Sequence, residues 1–316
     1  MDKTNDTFFK GNVSSYNSFM KYELKEKTLY IDIDSLFQDT IQSFFDEYIP
    51  SKKFQHLLIQ NKWILIDDKP VKREDKLEGN KLSILIYPNN HQYEKVKFEP
   101  DVVYEDEIIV VVNKPKGVLV HSDGNEELTL TDWVKSYYAE TPWIDVQPIH
   151  RLDKETTGLV MFSKSEIFQP LLDKLMFDNQ IRRSYLAFVK GKIPEGKQYT
   201  IDKPIGKDRH DSKKRVVAKV GQPALTKARS VGNYNGISIL RCTLDTGRTH
   251  QIRVHLASIG YPIINDELYG IRDKNLVRMG LIGDELDFYH PLKEEMMNVE
   301  CDLPNDMARF MNEVLR

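Results

Sequence analysis

The chain has 316 residues, which is long for one small domain and sufficient for two. It is 40% hydrophobic and 10% aromatic, so it can bury a large core, and this composition excludes a disordered protein. The 45 basic residues nearly balance the 48 acidic ones, so a nucleic-acid partner would have to be bound by basic residues clustered on one face.

The sequence also bears on metal sites and on location. Cys242 and Cys301 lie far apart, which excludes a disulfide framework and a cysteine-rich metal site. His250 and His255 are five positions apart rather than the four of a helical zinc pair, so we expect no metal. The apolar runs are too short to span a membrane, and the N-terminus has no apolar signal-peptide core. We therefore expect a cytoplasmic protein, with a monomer as the default state.

The first third of the chain predicts a small module behind a polar extension, residues 1–34. The module covers 35–88, where two helical segments precede two short apolar strands. One buried helix face is predicted from apolar residues at helical spacing, namely Phe37, Ile41, Phe44, Phe45 and Tyr48. Residues 89–100 are polar without a clear period and are interpreted as a linker.

The remainder, residues 101–316, mixes strands and helices. Strands outnumber helices and do not alternate regularly with them, which predicts an α+β domain with a mostly antiparallel sheet. One helix is predicted after Ser165 as its N-cap, with Pro170 in its first turns. Another is predicted over 249–259, from Thr249 as N-cap to Gly260 as C-cap.

Asp153 is the first candidate reactive group. It lies in "HRLDKETTGL" (150–159), where Arg151 and Lys154 favour its ionised form and an apolar strand follows at once. This pattern predicts a carboxylate at a sheet edge, exposed for reaction as a nucleophile or base. Taken alone, the same pattern also fits a solvated, salt-bridged loop.

Arg253 is the second candidate, in "DTGRTHQIRVHLASIGYPI" (245–263). On a helix it would face the apolar side beside Ile252, and a buried arginine needs a carboxylate from another element. Taken alone, an amphipathic helix with a surface arginine fits equally well.

Two further segments suggest contacts with an anionic ligand. Tyr185 lies in "RRSYLAFVKGK" (182–192), an alternating strand in which it belongs either to the core or to a pocket wall. Residues 202–230 carry nine basic residues against three acidic ones, which fits either a phosphate-binding face or a solvated loop.

Together and in this order, these segments closely resemble the signature motifs of the RluA-type pseudouridine synthases. "VVNKPKGVLVH" and "HPLKEEMMNVECDLPNDM" extend the resemblance over most of 101–316. Asn265-Asp266 departs from the usual Gly-Asp and is expected to change only a turn. Residues 51–88 resemble the S4 RNA-binding module, but with more lysine than arginine and with Asp67 and Asp68. They therefore either bind RNA phosphates or serve as a packing domain.

The resemblance implies a pseudouridine synthase fold that isomerises uridine in RNA without a cofactor. It implies that Asp153 is catalytic, that Tyr185 stacks on the target base and that Arg253 pairs with the aspartate. It also implies that Arg151 supports base flipping and that Ile252 packs in the pocket. The same motifs assign four further residues to substrate binding: His150, Thr157, Arg248 and Gln251.

Several alternatives stay open at this point. Asp153 either attacks covalently or takes a proton, and Tyr185 is a candidate base or relay for the C5 proton. Large-subunit ribosomal RNA is the first expected substrate and transfer RNA the second. The rivals are a glycosidase, which would need a second opposed carboxylate, and an RNA-binding protein that keeps the fold without catalysis.

Overall fold

The computed structural model describes residues 20–124, 127–274 and 276–314. The predicted N-terminal extension, 1–34, is described from Met20 onward, and its first 19 residues lie outside the described part. Within that part the chain forms a five-stranded sheet, a ten-stranded sheet and a two-stranded ribbon.

The N-terminal module is built on the five-stranded sheet, in the strand order β1-β2-β5-β3-β4. Its elements are β1 (Tyr22–Lys25), β2 (Thr28–Asp32), α1 (Ile41–Tyr48), α2 (Lys52–Gln60), β3 (Ile64–Ile66), β4 (Lys69–Pro70) and β5 (Lys81–Leu85). β2 pairs with β5 along its whole length, so residues 28–32 belong to the same sheet as 81–85. Two strands in the segment interpreted as an extension, β1 and β2, are therefore part of this sheet.

The helix face predicted for α1 is largely present. Thr40 caps the helix through a reciprocal capping box with Ser43, and Ile41, Phe44, Phe45 and Tyr48 are buried. Phe37 was wrongly included, because it precedes the cap and is 55% exposed.

The module packs directly on the second part of the chain. The Tyr48 hydroxyl donates to Glu294 Oε1 (3.1 Å), and the Ser165 hydroxyl donates to the carbonyl of Ile86 (2.7 Å). Buried apolar side chains from both parts form one continuous core. The interpreted linker also bonds to the second part, through the Tyr93 hydroxyl and the carbonyl of Ile144.

The second part contains the large sheet and four helices among the described residues. Its elements are β6 (Asp101–Glu105), β7 (Ile109–Lys114), α3 (Leu130–Tyr137), β8 (Gln147–Pro148), β9 (Thr157–Ser163), α4 (Gln169–Phe177), β10 (Ile181–Lys190), β11 (Gln198–Asp202), β12 (Ile205–Lys207), β13 (Arg215–Val217), β14 (Leu225–Tyr234), β15 (Ile237–Leu244), α5 (Gln251–Ser258), β16 (Leu281–His290), β17 (Glu295–Glu300) and α6 (Asn305–Val314).

The large sheet confirms the predicted α+β class. Its main order is β11-β14-β15-β10-β16-β9-β7-β6, while β17 adds to β16 and β8 adds to β9. β16 and β9 pair in parallel, and the other pairs are antiparallel. The central strands are buried on both faces, as in β9, where every residue is buried.

Two helices begin later than the sequence suggested. α4 starts at Gln169 because the Ser165 hydroxyl accepts from the nearby Ile167 amide and donates to Ile86, instead of capping a helix. α5 starts at Gln251, and its N-cap is His250 in the left-handed conformation (φ 59°) rather than Thr249. Gly260 follows this helix with φ 85°, as expected for a C-terminal glycine.

Candidate active site

The site is built where β9 and β16 run in parallel at the centre of the sheet. A Cβ added at Gly158 would lie 2.0 Å from the carbonyl oxygen of Gly283, and Gly158 has φ 114°. Only glycine permits this approach. Gly283 in turn pairs with Tyr185 on β10, whose ring lies against it. The close approach of β9 and β16 therefore brings Tyr185 near the loop that precedes β9 and carries Asp153.

A buried lysine fixes the loop that carries Asp153. Lys114 Nζ is fully buried and donates to the carbonyls of Pro115 (2.9 Å), Val118 (2.9 Å) and Lys154 (3.0 Å). The Gly117 amide donates to the same Lys154 carbonyl at 2.8 Å. Burial lowers the pKa of Lys114 to about 8. The motif "NKPKG" thus clamps the backbone next to Asp153.

Arg253 joins two acidic residues. Its Nη1 donates to Asp153 Oδ2 at 3.0 Å, across 100 positions of sequence. Its Nε and Nη2 donate to the two carboxylate oxygens of Asp266, at 2.7 and 2.8 Å. The Asp266 side chain is 0% exposed and that of Arg253 is 7% exposed. The buried arginine therefore has the predicted carboxylate partner, and a second one that the sequence did not suggest.

The net effect of this arrangement is a carboxylate at Asp266 that stays ionised. Burial by itself would raise the pKa of Asp266, but the hydrogen bonds and charge of Arg253 outweigh it and lower that pKa. The backbone amides of Leu268 and Tyr269 also donate to Asp266 Oδ1. Asp266 is thus a fixed anion that orients the guanidinium toward Asp153.

His250 lies beside the carboxylate of Asp153 and contacts Tyr269 on its other side. His250 Nε2 lies 3.9 Å from Asp153 Oδ2, and His250 Nδ1 lies 2.9 Å from the Tyr269 hydroxyl. The Arg215 amide donates to that hydroxyl at 2.7 Å, so the hydroxyl proton is free for His250 Nδ1. This assignment leaves the Nε2 proton directed toward Asp153. Burial lowers the pKa of His250, which favours the neutral ring.

Most of the predicted site residues line one cleft of about 400 Å³. Its walls include Asp153, Tyr185, Arg253, Arg151, Ile252, His150, Arg248 and Gln251. Thr157 is the exception, because it is buried at the start of β9 while Thr156 lines the cleft instead. Its predicted place at the substrate surface is therefore corrected.

Gln251 lines the cleft but uses its amide within the protein. Its Nε2 donates to the Leu225 carbonyl (2.9 Å) and to Thr226, and its Oε1 accepts from the Thr246 hydroxyl (2.7 Å) and the Arg248 amide (3.0 Å). With its amide engaged in this way, it shapes the loop before α5 rather than presenting free hydrogen-bonding groups.

The two arginines at the cleft rim are exposed. Arg248 Nε donates to the Pro223 carbonyl at 3.1 Å, and Arg151 Nη1 lies 3.3 Å from His121 Nε2. Their charged ends are therefore accessible to a ligand.

Burial sets the protonation of two groups inside the cleft. It lowers the pKa of His150 to about 3, with a further contribution from the charge of Arg183. The neutral ring accepts from the Met161 amide at 3.2 Å. Burial also raises the pKa of Tyr185, which therefore remains a neutral phenol at pH 7.

The basic stretch 202–230 folds beside this cleft. β12 and β13 form the two-stranded ribbon, which packs against α5 through Ile205 and Val254. Several of its basic side chains are exposed, namely those of Lys207, Arg209, Lys213 and Lys219. The ribbon contacts the site through the Arg215 amide and Tyr269.

Metal-ligand clusters and membrane-spanning helices are both absent from the described ranges. No group of three or more His, Cys, Asp or Glu side chains there could hold a metal ion. No helix in the same part of the chain is long and apolar enough to cross a membrane.

Comparison with known proteins identifies relatives. Residues 108–258 match the family described as RNA pseudouridylate synthase. The uncharacterized RNA pseudouridine synthase YhcT of Bacillus subtilis is 36% identical over 218 residues, covering 67% of this chain and 71% of its own. The ribosomal large subunit pseudouridine synthase D of Haemophilus influenzae is 32% identical over 296 residues, covering 86% and 89%. The human RNA pseudouridylate synthase domain containing 1 superposes with a TM-score of 0.53 at 26% identity, covering 65% and 84%.

Proposed function

This chain belongs to the RluA-type RNA pseudouridine synthases, which isomerise uridine to pseudouridine in RNA, and we propose that it acts on large-subunit ribosomal RNA through Asp153. One observation carries the assignment of the reactive group. Asp153 is a partly exposed carboxylate of the cleft, 18% exposed, and is held at 3.0 Å by a buried arginine. The ribosomal target is supported by the name of the relative that matches along most of its length.

The chemistry needs a carboxylate and no group from outside. The C1′–N1 bond of uridine breaks, the uracil turns, and C5 joins C1′, after which the C5 proton is lost. Asp153 would serve either as a covalent nucleophile or as the base that assists uracil departure. Arg253 would hold the carboxylate in place during that step.

Tyr185 would act as a neutral phenol. Since burial raises its pKa, a phenolate is disfavoured at pH 7, which supports a relay of the C5 proton over direct abstraction by an ionised oxygen. Its ring forms a cleft wall beside Ile252, where a flipped base could stack. Arg151, exposed at the rim, would occupy space near the vacated stack.

RNA would be attracted by two exposed basic surfaces. The ribbon 205–217 and the exposed lysines of the N-terminal module, Lys52, Lys53, Lys62, Lys69 and Lys72, support phosphate contacts without base readout. Arg73 is engaged elsewhere, because its Nη1 donates to Gln42 and Gln55.

Release of tritium from RNA labelled at uracil C5 tests the proposal. Transcripts of large-subunit ribosomal RNA and of transfer RNA would be incubated separately with the wild type, Asp153→Ala and Asp153→Asn. We expect release from ribosomal RNA by the wild type and none by either variant. Release from transfer RNA alone would overturn the ribosomal target, and release by Asp153→Ala would overturn the assignment of the reactive carboxylate.

A further inference from the structure

Arg183 is a buried cation without an acidic partner. It is 9% exposed, lies on β10 two positions before Tyr185, and lines the cleft. Across the described ranges it forms no ion pair, and its Nε has no hydrogen-bond partner. Because burying an unpaired charge is strongly unfavourable, a group in this state favours an anionic ligand.

The nearby acids are already engaged. Asp153 pairs with Arg253 (3.0 Å) and Asp245, which also lines the cleft, pairs with Lys227 (2.9 Å). The charge of Arg183 still acts on its surroundings, since it adds to the effect of burial in lowering the pKa of His150. Among the described residues, neither of these acids forms an ion pair with Arg183, so its guanidinium is left unpaired.

The guanidinium of Arg183 lies close to the backbone at Gly247. A Cβ at Gly247 would lie 3.0 Å from Arg183 Nη1 and 3.5 Å from its Nη2. The flat end of Arg183 thus rests on the loop before α5, beside the exposed Arg248. A planar fork held against backbone suits the tetrahedral oxygens of a phosphate, to which it can donate two hydrogen bonds.

We propose that Arg183 binds a phosphodiester group of the RNA strand next to the uridine held in the cleft. The inference rests on the proposed function, since the target base stays attached to its phosphates through the ribose while it is near Asp153. Phosphate binding would neutralise the buried guanidinium only when RNA is present. Part of the RNA affinity would thus come from pairing the guanidinium of Arg183, which is buried and unpaired in the free protein.

Arg183→Met and Arg182→Met form a matched pair. Arg182 is the adjacent residue on the same strand, and its side chain is exposed. Both would be measured in an Asp153→Asn background by filter binding to a uridine-containing RNA at several salt concentrations. We expect Arg183→Met to weaken binding about ten- to a hundredfold and to reduce the salt slope by about one, and Arg182→Met to change affinity less than about threefold. Equal effects of the two changes would overturn the proposal.

RNA with single methylphosphonate linkages identifies the contact. The neutral linkage 5′ or 3′ of the target uridine should weaken binding by the protein with Arg183 and leave binding by Arg183→Met unchanged. If the loss of affinity from the neutral linkage and the loss from Arg183→Met were additive, a direct contact between Arg183 and that phosphate would be contradicted.

Thermal unfolding separates this role from a structural one. Removing an uncompensated charge should leave the Tm of Arg183→Met equal to or above that of the wild type. Inorganic phosphate, compared with sodium chloride at equal ionic strength, should raise the Tm of the wild type more than that of Arg183→Met. A lower Tm of the variant together with an unchanged phosphate response would show a structural arginine. Tritium release by the wild type tests the proposed function separately, so either idea can fail while the other stands.

Discussion

Asp266 is expected to be required for both stability and catalysis, although it does not face the cleft. Its side chain is 0% exposed and accepts two hydrogen bonds from Arg253 and two from backbone amides. Asp266→Ala would leave the guanidinium buried with two unpaired donors, and breaking a buried pair in this way costs about 3–5 kcal/mol. Asp266→Asn keeps one acceptor oxygen, so the loss should be nearer to one charged hydrogen bond, about 1.5–3 kcal/mol.

The catalytic effect follows from the orientation of Arg253. With Asp266 changed, Nη1 is no longer fixed 3.0 Å from Asp153, and a displacement of about 1 Å at a reacting group can reduce the rate about a hundredfold. The assay is urea unfolding together with steady-state tritium release over a range of RNA concentrations. We expect Asp266→Asn to lower kcat strongly while KM changes little.

Two results would refute this reasoning. If Asp266→Ala unfolds at the same urea concentration as the wild type, the buried pair does not contribute to stability as its geometry indicates. If Asp266→Asn is destabilised but keeps the wild-type kcat, Asp266 supports the fold without orienting Arg253 for catalysis.

Three other changes test the framework around the site. Lys114→Met removes the lysine donor from three carbonyls, of which only that of Lys154 keeps a second donor, the Gly117 amide, so we expect a loss of about 1–3 kcal/mol in urea unfolding and reduced tritium release. Gly158→Ala places a Cβ 2.0 Å from the Gly283 oxygen and should cost at least about 3 kcal/mol, whereas Gly196→Ala, also at positive φ but without neighbours, should cost about 1 kcal/mol. Burial would raise the pKa of Asp106, but the His290 ring, whose Nε2 lies 2.8 Å from Asp106 Oδ2, lowers it to about 2. Between about pH 4 and pH 2 the unfolded state binds more protons at Asp106 than the folded state, so the stability from Asp106 should be lost as the pH falls through that range. Asp106→Asn should make the urea midpoint less dependent on pH over the same range.

The sequence allowed the pairing of Arg253 with a distant carboxylate to be predicted, because a buried arginine on an apolar helix face needs one. It did not allow Asp266 to be recognised, since the residue lies in what reads as a turn, 13 positions after Arg253 on α5. Lys114 was missed for a different reason. Its acceptors are backbone carbonyls, and these leave no trace in side-chain patterns.

Polar residues were harder to assign than charged ones. Thr157 and Gln251 were both expected at the substrate surface, but Thr157 starts β9, a central strand that is buried on both faces, and Gln251 is used to hold the loop before α5. In a motif-rich segment, sequence alone does not distinguish a residue that contacts the ligand from one that holds its neighbour. Arg183 shows the opposite case, because only its burial without an acid distinguishes it from Arg182.

The charges around Asp153 explain why arginine rather than lysine suits position 253. The guanidinium uses Nε and Nη2 for Asp266 and keeps Nη1 for Asp153, which a single ammonium could not do with fixed directions. Two carboxylates around one cation leave a net charge of about −1 in ionised form, and because Asp266 is enclosed, that charge is accessible at Asp153. Asp266 thus accepts the hydrogen bonds of Nε and Nη2 of Arg253, while Nη1 orients Asp153 without fully neutralising its charge. In the proposed mechanism Asp153 would act by either route of uridine isomerisation from this position, held by Arg253 Nη1 at 3.0 Å.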